Sequence, residues 1–277
     1  MAAYRVVLLL VCAACAWSSG TVFTFENPPY AGSRGGTALD GQDGWHVGGA
    51  GANSVTGVVL TYTGNGIPAA PGGGAQFVGM IGPHAGDTHS ATFTDASEWA
   101  ITFYVLAHNF DTGNQYPIGD FFMFNNVTGF EFRAIYGWDP VTGGNPNTWS
   151  ALFDYHDLSG NPIFGADTGV AGFHGLQTDH WYQEQIVFST TSNSILSVSL
   201  DDPGNPSAHA TYDPTGWYFS GVASGPFSVN GIGLYGGGAT FENGLAFDNI
   251  SLDAVPEPAT LFLMGLGLLV PIVFRRR

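Results

Sequence analysis

The sequence contains no lysine, and its basic residues are six arginines in 277 positions. Four of these, Arg5 and Arg275 to Arg277, sit at the two ends, leaving Arg34 and Arg133 against nearly all of the 22 carboxylates. A segment this acidic repels phosphate backbones and anionic headgroups, which excludes charge-driven binding to nucleic acid or to a membrane surface. Divalent cations and neutral glycans remain as partners. Cysteine is almost absent as well. Cys12 and Cys15 both lie in an N-terminal apolar segment, and removal of that segment leaves neither a disulfide nor a thiol nucleophile. Sustained helical periodicity is missing between Thr21 and Asp253, where no run of about eleven residues keeps a 3.6-residue period free of Gly or Pro. No Gly-x-Ser-x-Gly elbow and no His-Glu-x-x-His helix occurs, and the Gly-rich runs are not followed by a helix that would cradle phosphate.

What the chain does contain is glycine, 41 residues of it, together with 21 Phe, 11 Tyr and 7 Trp. Tight turns between aromatic-rich strands explain this composition better than packed helices. Strand patterns are read at Thr21–Glu26, Val55–Thr63, Gln76–Met80, Ala100–Ala107, Phe121–Asn126, Phe130–Tyr136, Trp149–Tyr155, Trp181–Ser189, Ile195–Leu200, Phe227–Tyr235 and Leu245–Leu252. In Ala100–Ala107, Ile101, Phe103 and Val105 alternate with Thr102 and Tyr104, as one buried and one wetter face require. In Ile195–Leu200 the same reasoning puts Leu196, Val198 and Leu200 on the buried face. Gly, Pro, Asn and Asp clusters punctuate these runs, for example Gly64-Asn-Gly66 and Asp201-Asp-Pro-Gly204. The prediction is an all-β protein: a jelly-roll-type β-sandwich over 21–253, flanked by targeting ends.

The N-terminus combines Arg5, an apolar run from Val6 to Ala16, and small residues through Gly20, which reads as a secretion signal over 1–20. Cleavage after Ala16 and cleavage after Gly20 both satisfy the small-residue rule. The C-terminus reads Pro256-Glu257-Pro258, an uncharged apolar stretch of about 259–274, then Arg275-Arg276-Arg277. Physically this is an extended linker, a segment long enough to span hydrocarbon, and a basic stop that stays cytoplasmic. The order and spacing of these features resemble the PEP-CTERM sorting signal over 254–277. The resemblance implies processing by an exosortase in a Gram-negative, exopolysaccharide-producing bacterium: anchoring in the inner membrane, then transfer to the cell surface or extracellular matrix. A plain single-pass tail anchor is the alternative reading of the same residues.

A second resemblance spans the middle. Phe23-Thr-Phe25-Glu26, the segment Leu39 to Trp45, the run His180 to Phe188 followed by Asn193 to Leu200, and Ala246 to Leu252 are similar to concanavalin A-like and laminin-G type jelly rolls. In those folds the last strand returns beside the first. That pairing would bring Glu26 and Asp248 together, and two carboxylates in an acidic domain suit a structural Ca²⁺; two separate solvated acids are the competing reading. Trp45, Tyr136, Trp138 and Trp149 sit in or beside Gly/Asn/Asp-rich turns, where exposed rings edged by polar groups would form a glycan platform. Packing in the core is the other reading for each of them. Asp154 and Asp157 around His156 read as a strand end and turn, and Trp181 and Trp217 as core residues. His84, Asp87 and His89, like His174, Asp179 and His180, lack the spacing of a zinc site.

The expectation is therefore an exosortase-sorted, non-catalytic surface protein that binds glycan or builds the exopolysaccharide matrix. A secreted polysaccharide-active hydrolase or lyase is the alternative. No catalytic residue is assigned; the sorting signal is carried by Pro256, Glu257, Pro258, Arg275, Arg276 and Arg277.

Overall fold

The computed structural model describes residues 20–48, 55–81, 85–108, 119–127, 129–139, 141, 147–220, 227, 229–236 and 244–255. The predicted leader through Ser19, the Pro256-Glu257-Pro258 motif, the 259–274 apolar segment and the terminal arginines lie outside the described residues. No helix among the described residues is long and apolar enough to cross a membrane.

The chain forms two antiparallel sheets packed as a sandwich. The first runs, edge to edge, β15 (His209–Tyr212), β14 (Ser194–Asp201), β13 (Tyr182–Ser189), β7 (Glu98–Ala107), β17 (Leu245–Ala254), β5 (Gln76–Met80), β4 (Val58–Thr61) and β2 (Thr37–Ala38), with β1 (Thr21–Phe23) also on β17. The second runs β11 (Pro162–Ala166), β10 (Thr148–His156), β9 (Gly129–Trp138), β8 (Gly119–Asn125), β16 (Gly231–Gly236), β6 (Ala85–Ser90) and β3 (His46–Val47), with β12 (Leu176–Gln177) on β10. Every one of these strands finds its partners between Thr21 and Ala254, so this segment carries both sheets and the core between them.

Period-2 alternation builds that core. Ile101, Phe103 and Val105 of β7 face Phe121 and Met123 of β8 and Phe132, Ala134 and Tyr136 of β9, all buried. Phe103 and Phe121 stack across the two sheets with ring centroids 4.3 Å apart. The alternation predicted in β14 is shifted by a bulge where Val187 pairs Ser197 and Phe188 pairs Ile195. The extra residue changes the parity, so Ile195 rather than Leu196 enters the core beside Val198 and Leu200.

Part of the outer face of the first sheet is covered. Tyr62, which opens a short helix (Tyr62–Asn65), packs with Leu60, Ala70, Phe77, Leu106, Trp181 and Ala246 in a second apolar cluster. Trp181 fastens the covering segment by donating its indole N–H to the Pro68 carbonyl at 2.6 Å.

Six of the strands are not evident as apolar runs, and β6 is the instructive one. Its inward positions Asp87 and His89 are polar, so Ala85–Ser90 reads as a loop although it lies between β16 and β3. Internal partners meet the cost of burying Asp87: it accepts hydrogen bonds from Thr56 Oγ1 (2.9 Å) and Gly57 N (2.5 Å).

Candidate functional site

The outer face of the second sheet holds a groove. Parity decides which residues line it. Phe121 and Met123 point inward, so Asp120, Phe122 and Phe124 of β8 point out; by the same rule Arg133 of β9, Asp154 of β10, and Gly231, Gly233 and Tyr235 of β16 point out. Register places them side by side: Arg133 lies between Phe122 and Asp154, Gly233 faces Phe122, Gly231 faces Phe124, and Tyr235 faces Asp120.

Two glycines shape the floor. A methyl group at Gly233 would fall 2.1 Å from Cζ of Phe122, and one at Gly231 would fall 2.3 Å from Cζ of Phe124. The two rings therefore lie across β16 in space that any side chain there would occupy. Together with Gly48, Thr88, Asn125, Asn126, Gly129 and Phe130 they enclose a cavity of about 330 Å³. The aromatic surface continues past the cavity: Phe130 lies 5.8 Å from Phe164, whose ring on edge strand β11 is exposed.

Charge is concentrated on Arg133. Its Nη2 donates to Asp154 Oδ2, its Nη1 lies 3.9 Å from Asp120 Oδ2, and its guanidinium covers the Phe130 ring at 4.4 Å. Asp154 is engaged on both oxygens, because Oδ1 accepts the Gly165 amide at 2.7 Å. Asp120 differs. Its side chain is 8% exposed, and it accepts no hydrogen bond from any described residue. Burial pushes its carboxyl up to about 7, with Arg133 lowering and Asp154 raising it. Arg133 Nε is likewise buried with no partner among the described residues. The floor thus sets a buried carboxylate and a guanidinium between aromatic rings.

The residues singled out from the sequence go elsewhere. Trp45, Tyr136 and Trp149 are each 0% exposed and belong to the core, so they are not an exposed platform. Trp45 is drawn inward by its indole donating to Tyr30 Oη at 3.1 Å and by edge-on packing with Phe23. Tyr136 and Trp149 stand edge to face at 5.6 Å. Trp138 pairs with Trp149 in the β9–β10 ladder, and its side chain lies outside the described residues. Trp181 and Trp217 are buried, as expected of core residues.

Asp154, which the sequence suggested was a strand end, is instead the main partner of Arg133. Asp157 closes a turn by accepting from Ser159, Asn161 and their neighbours. His84 lies outside the described residues, while His89 is held by the carbonyls of Ser90 and Asp43. His174 pairs with Asp139 and Asp167, Asp179 with His108, and His180 with Asp202, so that triplet is dispersed.

Glu26 and Asp248 do meet. β17 pairs β5 through residues 245–247 and β1 through 250–252, and the change of partner falls at a bulge where Asn249 has φ +49°. Asp248 accepts from Tyr62 Oη (2.5 Å) and Asn249 N (2.8 Å), while Glu26 Oε1 accepts from Ala75 N and Gln76 N, both at 2.8 Å. Both carboxylates converge on a glycine pair: a Cβ at Gly73 would be 2.7 Å from Asp248 Oδ2, and one at Gly74 would be 2.6 Å from Glu26 Oε1. Burial pushes Asp248 up to about 7, and the Glu26 charge adds to the rise. No group of three or more His, Cys, Asp or Glu side chains arranged to hold a metal ion occurs among the described residues, so a cation here would take its other oxygens from backbone or water.

Comparison with known proteins bears on the two parts separately. Residues 254–277 match the PEP-CTERM protein-sorting motif. No curated protein is significantly similar in sequence. Among solved structures, a substituted alginate lyase in complex with an alginate tetrasaccharide is similar at TM-score 0.50 and 13% identity, over 86% of this chain and 97% of that one. A carbohydrate esterase from the Shiga toxin-encoding bacteriophage phi24B gives TM-score 0.48 and 12% identity, over 86% and 100%. Arcelin-5, a lectin-like defence protein from Phaseolus vulgaris, gives 0.43 and 8%, over 86% and 100%. At these identities the likeness is one of fold alone: the β-sandwich resembles that of the alginate lyase, and it is followed by a C-terminal sorting motif. The motif implies export, C-terminal membrane anchoring and exosortase processing.

Proposed function

We propose that this is an exosortase-sorted surface protein whose sandwich binds glycan without catalysis, at the groove on the outer face of the second sheet, as a glycan-binding or structural component of an exopolysaccharide matrix. The observation that carries the reading is a buried carboxylate, Asp120, which has Arg133 3.9 Å away and accepts no hydrogen bond from a described residue, set among aromatic rings in a cavity of about 330 Å³. Sugars ask for that combination, an apolar surface for their C–H faces and polar groups for their hydroxyls. Glycoside hydrolysis asks for two carboxylates about 5–9.5 Å apart in opposite protonation states. Asp154 is committed to Arg133 and Gly165, which leaves Asp120 without a second acid free to share the work.

The likeness to an alginate lyase keeps a secreted polysaccharide-active enzyme as the alternative. Glu26 and Asp248 are proposed to hold a structural Ca²⁺ that fastens the first strand to the last. The test of function is binding of the purified 20–255 segment to a polysaccharide panel, with sugar release assayed in the same wells. Retention without release is expected, weakened by Phe130→Ala. Release of sugar would make the protein an enzyme, and neither retention nor release would leave a structural coat role.

A further inference from the structure

We propose that the groove selects uncharged glycans, read through their hydroxyl groups, and rejects polyuronates and sulfated polymers. The inference rests on the glycan-binding reading above and names the class of sugar.

Binding a polyanion requires cations that are free to meet it. Between residues 20 and 255 the only such side chains are Arg34 and Arg133, against all of the 22 carboxylates except Glu257. Arg133 is the one in the groove, and both its terminal nitrogens already face carboxylates, Asp154 and Asp120. The one cation of the groove is thus outnumbered by two carboxylates, with which a polyuronate would have to compete. Asp120 supplies the acceptor. It is nine-tenths buried, lines the cavity, and accepts no hydrogen bond from a described residue. An acceptor in this position gains by meeting a hydroxyl donor and loses by meeting a second anion in a poorly hydrated site.

Screening strengthens the argument. At physiological ionic strength charges separated by more than about 8 Å are largely screened. The acidic surface as a whole therefore does not set the preference, and Asp120, inside the groove, does. The floor points the same way. Phe124 and Phe130, both partly exposed above the buried Phe122, offer apolar surface to the C–H face of a sugar, and exposed Phe164 beyond Phe130 prolongs it toward the sheet edge, where a further sugar of a chain would lie.

The experiment compares the 20–255 segment on immobilised uncharged polymers (glucans, mannans, galactans, xylans) and on alginate, polygalacturonate and dextran sulfate, at pH 8.5, where Asp120 is ionised, in 0.15 M NaCl with EDTA. Retention by at least one uncharged polymer and by none of the anionic ones is expected. Asp120→Asn should weaken the uncharged ligand about tenfold, the loss of one charge-assisted hydrogen bond. Asp154→Asn, which keeps the acceptor for Gly165 and releases Arg133, should gain salt-sensitive retention on polyuronate. Circular dichroism establishes that each variant is folded. Retention of the native segment on polyuronate or dextran sulfate would overturn the selectivity while leaving glycan binding intact, as would an unchanged affinity in Asp120→Asn. Retention on no polymer of either class would overturn the glycan-binding reading and this inference with it.

Discussion

Tyr136 of β9 donates a 2.7 Å hydrogen bond to Glu184 Oε2 of β13, across the interior from one sheet to the other. Both side chains are fully buried, and Glu184 Oε1 has no partner among the described residues. Burial pushes the Glu184 carboxyl up to about 8, against the lowering effect of the tyrosine.

That pair makes stability depend on pH. Between the ordinary glutamate value near 4.5 and about 8 the folded chain keeps a proton that the unfolded chain has lost, so unfolding releases it and stability falls as pH rises. Urea unfolding at pH 5, 7 and 9 should give a midpoint that decreases through this series. Glu184→Gln should flatten the dependence; a slope equal to the native one in that variant would assign the effect to other acids. Tyr136→Phe removes the single partner of a buried carboxyl and should cost about 1–3 kcal/mol.

Gly233 tests the groove floor independently of charge. Because the atom in the way of a Cβ is the far end of the buried Phe122 ring, Gly233→Ala should push the ring up into the groove and disturb the sugar surface above it at little cost in stability. Titration with whichever polysaccharide the native segment retains should show several-fold weaker binding and a nearly unchanged melting temperature. Native affinity in this variant would remove Phe122 from the site.

The Glu26–Asp248 pair predicts a response to calcium. Thermal melts of the 20–255 segment should shift upward with Ca²⁺ and downward with EGTA, as mass action on the folded state requires. In Asp248→Asn the two curves should coincide. A native midpoint indifferent to chelation would leave the two acids as hydrogen-bond acceptors for the 70–76 segment and nothing more.

Replacing Pro256-Glu257-Pro258 with three alanines should block processing at the sorting motif. In a host with an exosortase, fractionation and immunoblotting of the variant should find a longer form retained in the inner membrane, while the native protein appears at the cell surface or in the matrix. Identical distribution and size would favour a plain tail anchor.

The parts of this protein that reside in local pattern were readable in the sequence. Each of the eleven apolar runs overlaps a strand, although Val55–Thr63 runs on into the short helix and Phe227–Tyr235 is strand only from Gly231, because alternation along a strand is a property of neighbouring residues. The sorting tail is legible for the same reason, since its motif, apolar stretch and arginines are contiguous. The meeting of Glu26 and Asp248 followed from topology, through the pairing of first and last strands.

The groove was not readable, because tertiary structure decides which face of a strand is covered. Phe122, Arg133 and Asp154 come from three strands and acquire meaning only when register sets them side by side. Trp45, Tyr136 and Trp149 misled for the complementary reason: polar turns surround them in sequence, yet the packing of the sheets draws their large apolar rings into the core, where burial stabilises most. Sequence alone determined most of the strands, the acidity and the sorting motif; the stacking of the two sheets decided which side chains are buried and which line the groove.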